Sequence, residues 1–206
     1  MIGAIVGFGA EARILAHTGW RVAMAGGRPE RAEALARGMA QDGATLLLSV
    51  GTAGGLAPGL PPGTVINADG VWTPDRVFAC APFAAPGRPG LIATVDTVLA
   101  DARDKRALFE RSGALAVDME SVGVARAALD AGIPFAVLRV IADPAERTLP
   151  KATLTALDEN GGIRLGAVFA SILRDPRQIG GLIRVGRDTN IALAALKAAV
   201  TAHTTG

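Results

Sequence analysis

The N-terminal half of the chain alternates apolar runs of strand length with segments of helical length, and this alternation constrains the fold more than any other feature. It predicts strands at residues 2–6, 21–25 and 45–50 and helices at residues 10–17 and 29–39. The third run contains Leu46, Leu47 and Leu48 in succession, as expected for a strand covered on both faces. A βαβαβ order of this kind predicts a largely parallel sheet.

The rest of the chain continues the pattern with longer connections. Residues 51–55 are predicted to form a glycine-rich loop, and residues 73–90, with four prolines, an irregular and mobile surface loop. The helix that starts near Met119 has an apolar face and should stop at Gly132; the face comprises Val122, Ala125, Ala128 and Leu129. Further strands are expected at 64–68, 113–117 and 135–141, and further helices at 165–173 and 179–200, the last broken near Gly180-Gly181.

Composition favours one domain over residues 1–206 and excludes several classes of protein. Half of the residues are hydrophobic, 19% are charged, and the formal net charge is +2, which argues against disorder and against nucleic-acid binding. Cys80 is the single cysteine, so no internal disulfide forms, and His17 and His203 show no metal-binding pattern. We expect a cytoplasmic protein, because no signal peptide and no run of about 20 apolar residues is visible.

The turn after the first strand carries the motif G-x-G-x-x-A at residues 7–12, in the strand–turn–helix setting of a dinucleotide site. Arg28 could then contact the 2′-phosphate of NADP. The acidic ribose ligand expected about 20 residues further on is missing, because the second strand ends in Gly26-Gly27. A glycine-rich turn at a helix start suits any phosphate, so NADP binding stays an alternative.

Polar residues follow several predicted strands at the point where each strand ends. They lie at residues 7–11, at residues 51–55 and in the turn with Asp118 and Glu120, and Arg139 and Asp143 lie toward the end of the strand that begins at residue 135. Because ligands of open α/β sheets bind outside the carboxyl ends of the strands, these groups should share one site.

These residue types suit cleavage of an N-glycosidic bond. Glu120 can accept hydrogen bonds from two vicinal ribose hydroxyls, and a buried Asp143 can protonate the departing base. Glycine amides and the Thr52 hydroxyl can hold phosphate or orient water. The alternative for each acid taken alone is an ordinary residue at a helix start or strand end.

Residues 49–56, 117–121 and 137–143 resemble, in this order, the signature regions of the superfamily of purine nucleoside phosphorylases and methylthioadenosine/S-adenosylhomocysteine nucleosidases. The resemblance implies an α/β, single-domain, three-layer phosphorylase/hydrolase-like fold with a mixed, largely parallel central sheet. It implies a small-molecule purine nucleoside as substrate and no cofactor, with inorganic phosphate or water as co-substrate. It also implies a homo-oligomer.

The resemblance further implies a role for each matching residue. Glu120 would bind the ribose hydroxyls, and Asp143 would protonate purine N7 and favour a 6-aminopurine, from whose exocyclic amine it can accept. Arg139 would hold Glu120 or Asp143. Thr52 and the turn at Gly7 and Gly9 would flank phosphate or water. The substrate-binding set comprises Met119, which would pack near the sugar, with Asp118, Thr52, Gly54 and Arg139.

The sequence leaves phosphate and water open as the nucleophile. Nucleosidases of this superfamily carry a glutamate after the first strand that activates water. Alignment on Gly7 places Ala12 there, so Glu11 takes this catalytic role only after a small shift in register. Without the shift a phosphorylase is favoured, with Arg13 and Arg28 as candidate phosphate ligands.

The C-terminal third resembles the hopanoid-associated phosphorylases, which are implicated in removing adenine from adenosylhopane; the matching segments are 143–150, 160–163, 173–178, 182–184 and 190–196. Residues 160–206 hold six basic and two acidic residues. Basic helices with an apolar face can rest on an anionic membrane, so contact with the inner membrane face and a lipophilic nucleoside are further expectations. An ordinary amphipathic helix packed on the sheet explains the same pattern.

Three hypotheses therefore remain. The first is an adenosylhopane-type phosphorylase or nucleosidase, and the second is a methylthioadenosine/S-adenosylhomocysteine nucleosidase. The third is a non-catalytic protein that binds NADP or a nucleoside.

Overall fold

The computed structural model describes residues 1–150 and 179–205, together with residues 153 and 175. These residues form a nine-stranded mixed sheet flanked by helices. The strands are β1 (Ile2–Val6), β2 (Arg21–Met24), β3 (Leu46–Gly55), β4 (Val65–Asn67), β5 (Gly70–Trp72), β6 (Val77–Ala79), β7 (Leu91–Thr94), β8 (Ala116–Asp118) and β9 (Phe135–Asp143). The helices are α1 (Gly9–Leu15), α2 (Pro29–Gln41), α3 (Ala102–Ser112), α4 (Ser121–Ala131) and α5 (Ile179–Thr205).

The long strand β3 organises the sheet. Its first half pairs in parallel with β1 on one side and with β9 on the other, and its last two residues pair antiparallel with β8. The main path of the sheet runs β2-β1-β3-β8-β7-β5-β6, and β9 pairs with β3 and β4. Parallel pairing also joins β1 to β2, β5 to β7 and β7 to β8, so the predicted largely parallel sheet is confirmed.

Alternate residues of the central strands bury opposite faces of the sheet. Ile5, Leu47 and Val137 point into a cluster with the apolar residues of α2 and α4. Ala4, Leu48 and their neighbours in β9 point into a second cluster with α1 and α5. Contiguous apolar runs are the mark of strands covered on both sides, and the three-layer α/β fold class is confirmed.

The prediction of a loop at residues 51–55 is wrong. These residues form the second half of β3, hydrogen-bonded to β9 and, at Gly54 and Gly55, to β8. Glycine is present because other groups approach closely: a Cβ at Gly55 would lie 3.2 Å from the backbone nitrogen of Ala145. Glycines in a row can therefore mark a strand that another part of the backbone approaches closely, as well as a loop.

Other boundaries also differ from the prediction. The supposed surface loop at 73–90 contains β6 and the buried side chains of Phe78 and Phe83. In α4, Leu129 is 56% exposed rather than part of the apolar face, whereas Gly132 ends the helix in the left-handed conformation as predicted. Helix α5 runs through Gly180-Gly181 without a break. The predicted helix at 165–173 lies outside the described residues.

Four elements between residues 70 and 112 were not predicted from the sequence, namely β5, β6, β7 and α3. Their strands are three or four residues long and too short for periodicity to reveal. Within the described residues, no helix combines the length and the apolar character that crossing a membrane requires.

Close packing of α2 on α4 gives a stability prediction. A Cβ at Gly123 of α4 would lie 2.2 Å from the carbonyl oxygen of Pro29 and 2.8 Å from the backbone nitrogen of Glu33. We expect Gly123→Ala to lower the free energy of unfolding by about 1–3 kcal/mol, because backbone cannot yield as a side chain does. In the control Gly38→Ala, on α2, the new methyl meets nothing within 4 Å, and we expect a gain of about 0.5–1 kcal/mol. Equal urea midpoints for the two variants would contradict this packing.

Candidate active site

Carboxyl ends of parallel strands meet at one edge of the sheet and enclose a cavity of about 210 Å³. The end of β1 supplies Gly7, β3 supplies Thr52, and β9 supplies Arg139 and Asp143. The turn between β8 and α4 adds Glu120. The remaining lining residues are Phe8, Glu11, Gly26, Gly27, Ala53, Gly54, Val95, Thr97, Val98, Leu99, Val117, Asp118, Met119, Ala142 and Leu149. Glu11, Glu120 and Asp143, predicted to act together, therefore share one cavity.

Arg139 is the buried centre of the site. Its side chain is 1% exposed and lies 2.6 Å from Asp118 and 3.2 Å from Glu120, in both cases from Nη2 to a carboxylate oxygen. The same nitrogen donates to the hydroxyl of Ser49 at 2.7 Å. Sequence analysis left open whether Arg139 holds Glu120 or Asp143, and the structure pairs it with Glu120. A buried guanidinium with two carboxylates is strongly coupled, so removing one partner leaves an uncompensated charge.

Asp118 lines the cavity, but its carboxylate is engaged by groups of the protein, and its predicted role in binding substrate stays a prediction. Thr94 donates to Oδ1 at 2.8 Å, and both the backbone nitrogen and the hydroxyl of Ser121 donate to Asp118. Since Ser121 is the first residue of α4, Asp118 both fixes Arg139 and satisfies the start of the helix. The side chain of Glu120 makes no capping hydrogen bond and is left for the cavity.

The carboxyl group of Glu120 has a raised pKa. Burial raises its pKa to about 7; Arg139 opposes the rise, and the carboxylates of Asp118 and Glu11 add to it. A Cβ at Gly7 would lie 3.0 Å from Oε1 of Glu120 and 3.3 Å from Oε2 of Glu11. Gly7 thus leaves room for two carboxylates to approach the end of β1.

Glu11 points into the cavity from the first turn of α1 and is 1% exposed. The backbone nitrogen and hydroxyl of Thr52 donate to Oε1 at 2.7 and 3.0 Å, and the backbone nitrogen of Gly7 donates to Oε2 at 2.8 Å. Burial raises its pKa, while Arg139 and these hydrogen bonds oppose the rise. Glu11, and not Ala12, lines the cavity, and its catalytic role stays a prediction.

The predicted phosphate site at the glycine turn stays a prediction, since the amides of the turn are engaged within the protein. The amides of Gly7 and Phe8, which would hold an anion, donate instead to Glu11. Gly9, Arg13 and Arg28 do not line the cavity, and both arginines are exposed. Glu11 therefore takes two of the amide donors that the pyrophosphate of a dinucleotide would use at such a turn.

Asp143 forms an ion pair that the sequence did not predict. Lys105 of α3 is fully buried and donates from Nζ to Oδ2 of Asp143, to the carbonyl of Pro144 at 3.1 Å and to that of Arg147 at 2.9 Å. Oδ1 of Asp143 is buried without a partner among the described groups. Burial raises the pKa of Asp143, and Lys105 opposes the rise. Lys105 lies on the same face of α3 as the buried Leu108. A lysine on the apolar face of a helix is the one feature of the sequence that could have indicated a buried ion pair here.

Three further predicted residues, Met119, Thr52 and Gly54, line the same cavity. Met119 packs against the position of Gly27, whose Cβ would be 3.8 Å from its sulfur. Thr52 holds Glu11, and Gly54 lies opposite Asp143 in the β3–β9 register. In the described part of the chain, no cluster of His, Cys, Asp or Glu is arranged to hold a metal ion.

Comparison with known proteins matches residues 75–174 to the Phosphorylase superfamily. The futalosine hydrolase of Streptomyces coelicolor is 32% identical over 159 residues, which cover 61% of this chain and 68% of that protein. The native structure of Helicobacter pylori futalosine hydrolase matches with a TM-score of 0.65 and 18% identity over 97% of each chain. A methylthioadenosine/S-adenosylhomocysteine nucleosidase of Colwellia psychrerythraea, solved with adenine, matches with a TM-score of 0.61 and 17% identity over 95% of each chain. The two solved structures share the fold.

The raised pKa of Glu120 gives a prediction about stability and pH. Its pKa of about 7 exceeds the ordinary value of 4.5, so between these values the folded protein binds more protons than the unfolded chain. Wild-type stability should therefore fall as pH rises through this window. Glu120→Gln should reduce this loss and leave the part that comes from the raised pKa values of Glu11 and Asp143. Urea unfolding at about pH 5 and about pH 8 measures it. We expect the exposed control Glu30→Gln to follow wild type; a wild-type slope in Glu120→Gln would contradict the assignment.

Proposed function

The chain belongs to the phosphorylase superfamily, and on this premise we propose that it is an enzyme that hydrolyses the N-glycosidic bond of a purine nucleoside. The observation that carries the proposal is the convergence of Glu11, Glu120 and Asp143 on one cavity at the carboxyl ends of the strands. Each carboxyl group has a different environment, and separate environments allow separate roles in acid–base chemistry. This arrangement disfavours the alternative of a non-catalytic NADP-binding protein.

The ribose is assigned to Glu120. Its carboxylate is anchored on one side by Arg139 at 3.2 Å, and its side chain is not used to cap α4. A fixed carboxylate can accept hydrogen bonds from two neighbouring hydroxyls and stabilise the positive charge that develops on the sugar in an oxocarbenium-like transition state. Met119, at the same turn, would contact the sugar ring.

The purine is assigned to Asp143. Its Oδ1 is buried and unpartnered among the described groups, whereas Oδ2 is held by Lys105. Burial raises the pKa of Asp143, which favours the protonated acid needed to donate to N7 of the leaving base. The exocyclic amine of a 6-aminopurine could donate to the same carboxyl group, so an adenine nucleoside is the proposed class.

Water is the proposed nucleophile. Among the described residues that line the cavity, Arg139 is the one cation, and it is already paired with Asp118 and Glu120. Glu11 occupies the amides that a phosphate would need. A site with this charge disfavours an anion and suits a neutral water molecule, with Glu11 as the general base.

The proposed reaction balances through two proton transfers, one to Glu11 and one from Asp143. Glu11 takes a proton from water, the water oxygen bonds to C1′, and the C1′–N9 bond breaks with its electron pair going to the purine. Asp143 gives its proton to N7. The products are the free base and the free sugar, and exchange with solvent returns Glu11 and Asp143 to their starting states.

Replacing the two catalytic acids tests the mechanism. We expect Glu11→Gln and Asp143→Asn each to lower the rate of adenine release about 10²–10⁴-fold, since each removes one proton transfer. Asp143→Asn should still bind nucleoside. Release of adenine from 5′-substituted adenosines, with and without inorganic phosphate, is the measurement.

Exposed Glu30→Gln is the matched control and should keep wild-type activity. Turnover that requires phosphate would replace the hydrolase by a phosphorylase. Full activity of Asp143→Asn would remove Asp143 as the acid, and binding of NADP with no base release would favour the non-catalytic alternative.

The finer substrate proposal is an adenine nucleoside with a lipophilic 5′ substituent, as in adenosylhopane. Val95, Val98, Leu99 and Leu149 give the cavity an apolar wall, and Val98 is 46% exposed. The similarity to hopanoid-associated phosphorylases supports this proposal, although two of the five segments that carry it, 160–163 and 173–178, lie among residues the structure does not describe or describes only at 175. A methylthioadenosine/S-adenosylhomocysteine nucleosidase is the alternative.

Competing substrates separate these proposals. We expect a long 5′-alkylthioadenosine to be cleaved with higher kcat/KM than methylthioadenosine, because each buried methylene is worth about 0.8 kcal/mol. Val98→Ser should reduce that preference about tenfold. Val77→Ser, equally exposed on β6 but away from the cavity, is the control and should leave it unchanged. Preference for methylthioadenosine in the wild type would support the alternative.

The predictions about partners stay proposals. Contact with the inner membrane face rests on basic residues of which Arg184, Arg187 and Lys197 lie on α5, while Arg164, Arg174 and Arg177 lie outside the described residues. Ile179 and Ile183 are exposed on the same helix. A cytoplasmic location and a homo-oligomer remain expectations from the sequence.

A further inference from the structure

Resting on the proposed function, we propose that Lys105 is the positioning residue of Asp143, which aims Oδ1 at the purine and stabilises the carboxylate left after proton donation. Lys105 is not among the residues that the sequence predicted for the site. It lies on α3, outside the segments that resemble the superfamily signatures, and it does not line the cavity.

The hydrogen bonds of Lys105 indicate that its side chain is a charged ammonium group. An ammonium has three donors, and Nζ faces three acceptors: Oδ2 of Asp143 and the carbonyls of Pro144 and Arg147. A neutral amine could satisfy only two of them. Because all three donors are used and the side chain is 0% exposed, Lys105 has no donor left for a substrate and acts through Asp143.

This geometry divides the carboxyl group of Asp143 into two ends. Oδ2 is fixed by the ammonium, and Oδ1 is buried and free of described partners. When the Oδ1–H bond breaks and the proton goes to N7, the electron pair stays on Asp143, next to a positive charge that is already in place. Charge placed in advance of the reaction stabilises the transition state without reorganisation.

The turn after β9 completes the arrangement. Arg147 offers its carbonyl to Lys105 and pairs by its guanidinium with Asp188 of α5. The charged groups that act on Asp143 are therefore Lys105 from α3, Arg147 from the turn and Asp188 from α5. Glu146, in the same turn, is bound to the backbone nitrogen of Gly59. Replacing Lys105 changes one of these charges and leaves the others in place.

Lys105→Met tests the proposal through kinetics rather than activity alone. We expect kcat to fall about 10²-fold with KM nearly unchanged. The basic limb of the pH profile should move to higher pH, because the pKa of Asp143 rises when the opposing ammonium is lost. A merely structural lysine would lower the amount of folded enzyme and leave that limb in place. Exposed Lys197→Met is the matched control and should behave as wild type.

A double-mutant cycle with Asp143→Asn identifies the path of the effect. If Lys105 acts through Asp143, adding Lys105→Met to Asp143→Asn should cause no further loss of kcat. The double variant should also melt at a higher temperature than Asp143→Asn, which leaves an ammonium buried without its carboxylate. This comparison holds even if Lys105→Met alone does not fold.

The outcomes separate the two proposals. Wild-type kcat and an unmoved pH limb in Lys105→Met, losses that multiply in the cycle, or a lower melting temperature for the double variant would overturn the role of Lys105 while base release by the wild type stands. If the wild-type protein releases no base from any purine nucleoside, the proposed function fails, and this inference fails with it.

Discussion

The site depends on one buried guanidinium. Arg139 comes from a central strand and lies between Asp118 and Glu120, where water cannot compensate its charge. A cation in such a place requires carboxylates, and carboxylates clustered around it require the cation. The turn from β8 into α4 is therefore fixed to β9 by charge as well as by packing. The orientation of Glu120, and with it the proposed sugar site, follows from this arrangement.

Glycine leaves room for that charge cluster. At Gly51 a Cβ would lie 2.7 Å from Glu11 and 2.8 Å from Arg139, so any side chain would displace the charged groups. The turn at Gly7 likewise admits two carboxylates. The same residue type that elsewhere lets backbone approach a pyrophosphate here lets side chains of the protein meet. A glycine motif read alone could not distinguish these uses, because both require the same absence of a Cβ.

The sequence predicted the parts of the molecule whose signal is local. The alternation of β1, α1, β2 and α2 and the apolar run of β9 follow from periodicity, and Glu11, Glu120 and Asp143 follow from strand-end position and family resemblance. The partners of Asp118, Thr94 and Arg139, were not predicted because they are distant from it in the sequence. Lys105 was missed for the same reason: its ion pair spans 38 residues. A contact between residues far apart along the chain produces no periodic pattern in the sequence from which it could be predicted.

The register of β9 against β3 has a consequence for the spacing of the charged residues. Pairing runs regularly from Leu47 with Phe135 to Ala53 with Ile141 and then shifts, so that Gly54 faces Asp143 and Ala142 is passed over. A bulge re-aims the side chains beyond it, and in a strand one added or deleted residue turns every following side chain to the opposite face. The spacing of four residues between Arg139 and Asp143 is therefore fixed by the structure. A single-residue insertion or deletion between them would turn one of the two side chains away from the cavity, although every charged residue would still be present in the chain.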